Sequence, residues 1–149
     1  MSSRRPRWSC GLQAGASLLS LLLLAGMAAP AAAQCVSSDT RLCLLGGRFG
    51  VEGAWQDTRG AGVIKVAPFT SSDSGLLYFY GPDNWEILIK VIDGCSSNGR
   101  FWVYFATTTS LSFQLTVRDY VSGASKLYTN VLGAPAPAVT DTDAFRTCP

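Results

Sequence analysis

The chain has 149 residues, of which 48% are hydrophobic and 15% charged, and it contains five cysteines and no histidine. The lack of histidine excludes Ser-His and Cys-His catalytic pairs, and neither a histidine nor a C-x-x-C pair is present to suggest a zinc site. Outside the N-terminus the Lys and Arg residues are scattered singly, so no basic patch argues for nucleic-acid binding.

The first 33 residues have the pattern of a secretory signal peptide. Three arginines within residues 4–7 precede an apolar run at 18–29, and the small residues at 31–33 form the pattern after which signal peptidase cuts. The run is too short for a membrane span, and Gln34 argues against a lipid anchor at the cysteine that follows. We expect the ordinary secretory route with cleavage near Ala33, and the twin-arginine route is the alternative.

Removal of this segment leaves about 116 residues, the size of one domain with a single core. The three arginines leave with it, and it contains no acid, so the net charge changes from +2 to −1. The basic character of the whole chain therefore belongs to the signal segment. We expect a secreted or periplasmic domain at residues 34–149.

Four cysteines remain after Cys10 is lost with the signal segment. An even number of cysteines in an exported chain predicts disulfides, and four cysteines allow three connectivities. We favour Cys35–Cys43, which closes a short N-terminal loop, and Cys95–Cys148, which ties the C-terminal tail to the end of a central strand.

Alternation of apolar and polar residues dominates the rest of the chain, and clusters of Gly, Asn, Asp and Ser separate the runs. No stretch has a sustained helical period. We therefore predict an all-β fold, an antiparallel β-sandwich of immunoglobulin-like type, with a small closed barrel as the alternative. The seven predicted strands are 48–55, 62–69, 75–80, 86–93, 100–107, 111–120 and 126–131.

The predicted strands 75–80 and 100–107 each carry plain hydrocarbon rings on one face and rings with a polar tip on the other. We expect the first set to be buried with the apolar residues of the neighbouring strands. We interpret the second set as a candidate platform for a carbohydrate or a protein surface. The alternative is that its rings only stabilise the sheet by cross-strand pairing. The candidate core residues are Phe79, Phe101 and Phe105 with Ile87, Ile89, Val91, Phe113 and Leu115, and the candidate binding residues are Tyr78, Tyr80, Trp102 and Tyr104.

The acidic residues suggest two further hypotheses. Asp141 and Asp143 lie on the same side of an extended segment and are a candidate calcium site, since calcium takes oxygen ligands from flexible loops; solvated acids are the alternative interpretation. A pair of carboxylates could also serve a secreted glycosidase-like hydrolase. Most of the acids fall in predicted turns, however. We therefore expect a non-catalytic binding or accessory module of the cell envelope or extracellular space, without a cofactor.

Four segments carry a resemblance to a known module: CLLGGRFGVEGAW (43–55), GPDNWEILIKVIDGC (81–95), GRFWVYFA (99–106) and DTDAFRTCP (141–149). They are similar to a bacterial extracellular domain with the patterns C-L-x-x-G-R-F-x-V-x-x-x-W, P-D-N-x-E-x-x-x-K-V-x-D-G-C and T-D-T-x-A-F-x-T-C-P. The likeness covers nearly all of residues 35–149, and Trp85 stands where a smaller apolar residue is usual. That family has no assigned activity, so the resemblance implies export and a β-fold and assigns no site residue.

Overall fold

A computed structural model describes residues 33–149, so the predicted signal peptide lies almost entirely outside the described residues. Within 33–149 the chain forms ten strands and one four-residue helix, and no helix there is long and apolar enough to cross a membrane. The elements are β1 (Leu42–Leu44), β2 (Phe49–Gln56), β3 (Ala61–Val63), β4 (Lys65–Thr70), β5 (Ser74–Tyr78), β6 (Trp85–Gly94), α1 (Cys95–Asn98), β7 (Arg100–Thr107), β8 (Ser112–Asp119), β9 (Ser125–Asn130) and β10 (Val139–Phe145).

The strands form two antiparallel sheets. The first has the order β1-β2-β8-β9, with β3 paired to the far end of β2, and the second has the order β10-β7-β6-β5-β4. The predicted antiparallel β-sandwich is confirmed. A constant-type immunoglobulin domain places its first, second, fifth and fourth strands in one sheet, whereas here the four consecutive strands β4 to β7 are neighbours in one sheet.

All seven predicted strands are present, but residues 33–149 form ten strands because three features were not predicted. The run at 62–69 is divided into two strands at Ile64, since β3 pairs with β2 in the first sheet and β4 pairs with β5 in the second. The short β1 was missed, and so was β10, which pairs with β7 through the polar segment beginning at Val139.

The core lies between the inner faces of the two sheets. Phe49 of β2 has its ring centroid 5.0 Å from that of Phe101 on β7 and 5.2 Å from that of Phe145 on β10. Phe105 of β7 similarly meets Phe113 of β8 at 6.5 Å. The predicted core is confirmed, because every one of its members is buried: Phe79, Phe101, Phe105, Ile87, Ile89, Val91, Phe113 and Leu115.

Two disulfides fasten the ends of the domain, and both have the predicted connectivity. Cys35–Cys43 joins the N-terminal segment to β1, and Cys95–Cys148 joins the start of α1 to the tail beyond β10. The second bridge spans 53 residues of sequence, so it restricts the unfolded chain more than the first, which spans 8.

An ion pair between the partly exposed Arg48 and the fully buried Asp119 also anchors the C-terminal tail. Arg48 donates from Nη2 to the carboxylate of Asp119 at 3.0 Å and to the backbone oxygen of Thr147 at 2.5 Å. Its guanidinium lies 4.1 Å from the ring centroid of Phe101. Burial alone would raise the pKa of Asp119, but the hydrogen bond from Arg48 and that from the backbone of Val121 bring it below the ordinary value. The pair is therefore charged at neutral pH and belongs to the scaffold.

Candidate functional site

The outer face of the second sheet carries most of the exposed aromatic and aliphatic side chains of that sheet, and we call it the aromatic face. It arises because β7 and the part of β6 from Ile87 to Ile92 alternate, with hydrocarbon side chains turned inward and a mixed set turned outward. Cross-strand neighbours then line up: Ile92 lies opposite Trp102, and Leu88 lies opposite Ala106 on one side and Leu76 on the other. The aromatic face consists of Phe69, Leu76, Tyr78, Trp85, Leu88, Lys90, Ile92, Trp102, Tyr104, Ala106 and Thr140.

One half of the aromatic face is built around two stacked rings on β7. Trp102 and Tyr104 lie with centroids 6.1 Å apart and planes 24° from parallel. The indole nitrogen of Trp102 donates to Asn98 at 2.8 Å, and its ring covers Gly94, where any Cβ would overlap the indole. Trp102 is therefore held in one position, and Tyr104 next to it is half-buried with its outer side open.

The other half of the aromatic face is more exposed. Phe69 is 63% exposed, Leu88 45% and Trp85 44%. The rings of Phe69 and Trp85 meet edge to face with centroids 5.7 Å apart, and the Trp85 indole donates to the backbone oxygen of Pro82 at 2.8 Å. An open groove of about 430 Å³ runs along Phe69, Leu76 and Leu88.

A second groove of about 220 Å³ continues the first towards β10. It is lined by Leu88, Lys90, Tyr104, Ala106 and residues 138–140, and its lining is almost entirely apolar apart from the lysine. Leu88 belongs to both grooves. The aromatic face is therefore one continuous open surface that crosses all five strands of the sheet.

The sequence-predicted binding residues do not all lie together. Trp102 and Tyr104 are adjacent, and Tyr78 lies on the same face across the sheet, opposite Trp85. Tyr80 follows the end of β5 and leaves the face; its ring packs 4.5 Å from that of Trp55 in the first sheet. The predicted platform therefore has three members of the aromatic face and one residue at the rim of the sandwich.

Tyr80 belongs to a separate polar cluster at that rim. Its hydroxyl donates to Asp57 at 2.7 Å, and the backbone nitrogens of Arg59 and Gly60 donate to the same carboxylate. These bonds, that from Tyr80 foremost, lower the pKa of Asp57 to about 2. The cluster closes the turn between β2 and β3.

The position of Glu86 also departs from the alternation of its strand. Alternation along β6 places it on the outer face with Leu88 and Lys90, but it is buried. Its carboxylate accepts from the backbone nitrogen of Phe79 at 2.7 Å and from the amide of Asn84. The register between β5 and β6 shifts between Leu77 and Tyr78, and this irregularity turns Glu86 inward. Burial raises its pKa despite these hydrogen bonds.

The two candidate calcium ligands have cationic partners in the structure. Asp141 accepts from Tyr128 at 2.9 Å and from Lys126 at 3.1 Å, which joins the edge strands β10 and β9 across the sandwich. Burial would raise the pKa of Asp141, but these two hydrogen bonds bring it below its ordinary value. Asp143 pairs with Arg146 and Arg100, which lower its pKa to about 2. Residues 33–149 contain no group of three or more acidic or cysteine side chains arranged to hold a metal ion.

Comparison with protein-family models, curated proteins and solved structures finds no match to the chain. The aromatic face exposes large apolar side chains to solvent, which the stability of the fold does not require, so it is the candidate functional site.

Proposed function

We propose that the chain is a secreted, non-catalytic binding module of the cell envelope or extracellular space, and that the aromatic face holds its ligand. The observation that carries the proposal is the exposure of Phe69, Trp85 and Leu88 on one sheet face beside the stacked pair of β7. Apolar surface in water is unfavourable, and contiguous apolar patches on folded domains mark interaction sites.

The rings of the aromatic face are held in place before any ligand arrives. Trp102 is fixed by Asn98, and Trp85 is fixed by the backbone oxygen of Pro82. Both indole nitrogens are thereby satisfied within the domain, so the flat ring surfaces remain for contact. A surface that is rigid beforehand loses little conformational entropy on binding.

Two disulfides support an extracellular or periplasmic location, because such bonds persist in oxidising compartments. The expected signal peptide and the resemblance to a bacterial extracellular domain agree with the same location. We include both in the proposal.

The alternative, a carboxylate-dependent hydrolase, requires two carboxylates on either side of a substrate bond. The two buried acids of the domain are engaged in its scaffold, Glu86 with the backbone of Phe79 and Asp119 with Arg48. Asp141 and Asp143 are held by cations at the edge of the sandwich. These engagements favour the binding module.

A glycan and extracellular-matrix array, probed with the secreted chain, tests the proposal. We expect specific binding by the wild type and a loss of about tenfold in apparent affinity for Leu88→Ser, since burial of one leucine side chain stabilises a complex by about 1.5–3 kcal/mol. Trp102→Ala should lose at least as much. The matched control is Leu127→Ser, because Leu127 is 58% exposed on β9 of the first sheet.

Circular dichroism and thermal unfolding establish that each variant is folded before the array is probed. The proposal fails if the Leu88→Ser variant binds like the wild type, or if Leu127→Ser causes an equal loss. Release of reducing sugar from any array glycan by the wild type would favour the hydrolase instead.

A further inference from the structure

Lys90 lies in the middle of the aromatic face without an ion pair. Its ammonium has no carboxylate within 4.0 Å among residues 33–149, although six ion pairs form elsewhere in that part of the chain. The positive charge of Lys90 contributes to lowering the pKa of Asp73, but the hydrogen bonds from Ser74 and Ser71 lower that pKa more. The scaffold therefore leaves the charge of Lys90 available on this face.

The neighbours of Lys90 form a row of polar tips across four strands. Thr140 on β10 lies opposite Tyr104 on β7, Tyr104 lies opposite Lys90 on β6, and Lys90 lies opposite Ser74 on β5. Neighbouring strands are about 4.8 Å apart, so the row extends over roughly 14 Å. An extended polymer lying across the strands would meet a hydroxyl, a phenol, an ammonium and a hydroxyl in succession.

The surface on either side of this row is apolar. The groove of about 220 Å³ beside it is lined by Leu88, Ala106 and the ring of Tyr104, and it is open to solvent along its length. Enclosed sites for complete small molecules are larger, about 300–1,000 Å³. The groove is therefore suited to one unit of a longer chain.

We infer that the aromatic face binds an acidic polysaccharide, with the carboxylate of one sugar unit at Lys90 and the apolar side of that sugar ring on Tyr104. The inference rests on the proposed function and names its ligand class. A sugar ring combines a C–H face, which packs on an aromatic ring, with hydroxyls at its edge, which match the hydroxyl of Thr140 and the remaining acceptor capacity of Ser74, whose proton is donated to Asp73. A carboxylate supplies the charge-assisted partner that Lys90 lacks.

An acidic peptide is the competing occupant. A peptide carboxylate could pair with Lys90, but a peptide does not combine a C–H ring face for Tyr104 with ring hydroxyls that reach Thr140; the Ser74 hydroxyl already donates to Asp73. A polysaccharide presents hydroxyls on every unit. The observations therefore favour the sugar polymer.

Three probes separate these possibilities: polygalacturonate, the same polymer with its carboxylates methyl-esterified, and poly-L-glutamate. We expect the secreted chain to bind polygalacturonate at least tenfold more tightly than either of the other two in isothermal titration at low salt. Raising the salt from about 20 to 200 mM should weaken this binding, because screening reduces the interaction of exposed charges.

Variants of Lys90 locate the carboxylate contact. Lys90→Gln should lower the affinity for polygalacturonate about tenfold or more, leave that for the esterified polymer unchanged and flatten the salt dependence. Lys90→Arg should retain most of the affinity. The matched control is Arg118→Gln, because Arg118 is an exposed cation 5.5 Å from the ring of Tyr120 on the first sheet and should not affect binding.

Several outcomes overturn the inference. These are equal affinity for the acidic and esterified polymers, an unaffected Lys90→Gln variant, poly-L-glutamate binding as tight as polygalacturonate binding, and no binding to any of the three probes. In each case the proposed function is judged separately, by whether Leu88→Ser still reduces binding on the array.

Discussion

Replacing Phe101 with alanine tests whether the inner face of β7 stabilises the fold while its outer face is free for binding. Phe101 is 2% exposed and lies on the inner side of the strand. The centroid of its ring lies 5.0 Å from that of Phe49, and the guanidinium of Arg48 lies 4.1 Å from the centroid of the Phe101 ring. The change therefore removes a buried ring, an aromatic contact and a cation–π contact together.

We expect each of these three losses to lower the free energy of unfolding. Truncation of a buried phenylalanine to alanine costs about 3–5 kcal/mol through lost burial and the cavity that remains. An aromatic pair adds about 0.5–1.5 kcal/mol and a partly desolvated cation–π contact up to about 2 kcal/mol. We expect Phe101→Ala to lie at the upper end, about 4–5 kcal/mol. The total free energy of unfolding of a domain of this size is only about 5–15 kcal/mol.

Urea unfolding followed by tryptophan fluorescence measures this loss. Tyr104→Ala is the control on the same strand, and because its ring lies on the outer face we expect a loss of no more than about 1.5 kcal/mol. Phe101→Leu keeps most of the apolar volume and should fall between the two, which gives a measurable variant if Phe101→Ala does not fold. Equal losses for Phe101→Ala and Tyr104→Ala would refute the assignment of the two faces, and a Phe101→Leu variant as stable as the wild type would refute the cation–π contribution.

Three further predictions concern the scaffold, and the same urea unfolding measures each of them. Replacing Cys95 and Cys148 together by alanine should cost about 4 kcal/mol, because the bridge closes a loop of 53 residues; a loss below about 1 kcal/mol would mean that the unfolded chain is already compact. Asp119→Asn should cost up to about 3–5 kcal/mol at pH 7, because the partly buried Arg48 loses its carboxylate partner. Because the pKa of Asp119 is lower when folded, its contribution is present above pH 4 and is lost as the pH falls further, so the variant should show a smaller acid-induced loss than the wild type. Gly94→Ala should cost about 1–3 kcal/mol, since its new Cβ meets the indole described above, while Gly81→Ala, with open space around it, should change stability by less than about 0.5 kcal/mol.

The core could be predicted from the sequence because alternation has only two phases. In β6, Ile87, Ile89 and Val91 share one phase, and a register shift of one residue would have exposed all three. The same logic identified the inward rings of β7. Local alternation is sufficient wherever a strand is regular and its neighbours match it.

The two missed strands lack that signal. The three residues of β1 are too few to establish a period, and β10 contains four consecutive polar residues, 140–143, in which no apolar residue alternates. Both strands exist because a partner strand supplies their hydrogen bonds, β2 for the first and β7 for the second. The pairing of β10 depends on a strand distant in sequence, whereas β1 forms a short local hairpin with β2, in which Leu44 lies opposite Phe49.

The candidate site was predicted only in part for a related reason. Phe69 follows Pro68 in a strand whose register shifts between Val66 and Thr70, and Tyr80 lies beyond the last paired residue of β5. At such irregularities the position of a side chain no longer follows from its place in the alternation. The exposed half of the aromatic face therefore became visible only in the structure.

The residues that carry the sequence resemblance divide into two groups in the structure. Arg48 and Glu86 hold the scaffold through Asp119 and through the backbone of Phe79, so the chemistry of both side chains is used within the domain. Lys90 lies in the same pattern, in the middle of a sheet face, and forms no ion pair among the described residues. Within the domain the charge of Lys90 acts only at longer range, on Asp73, and a ligand carboxylate would explain its position.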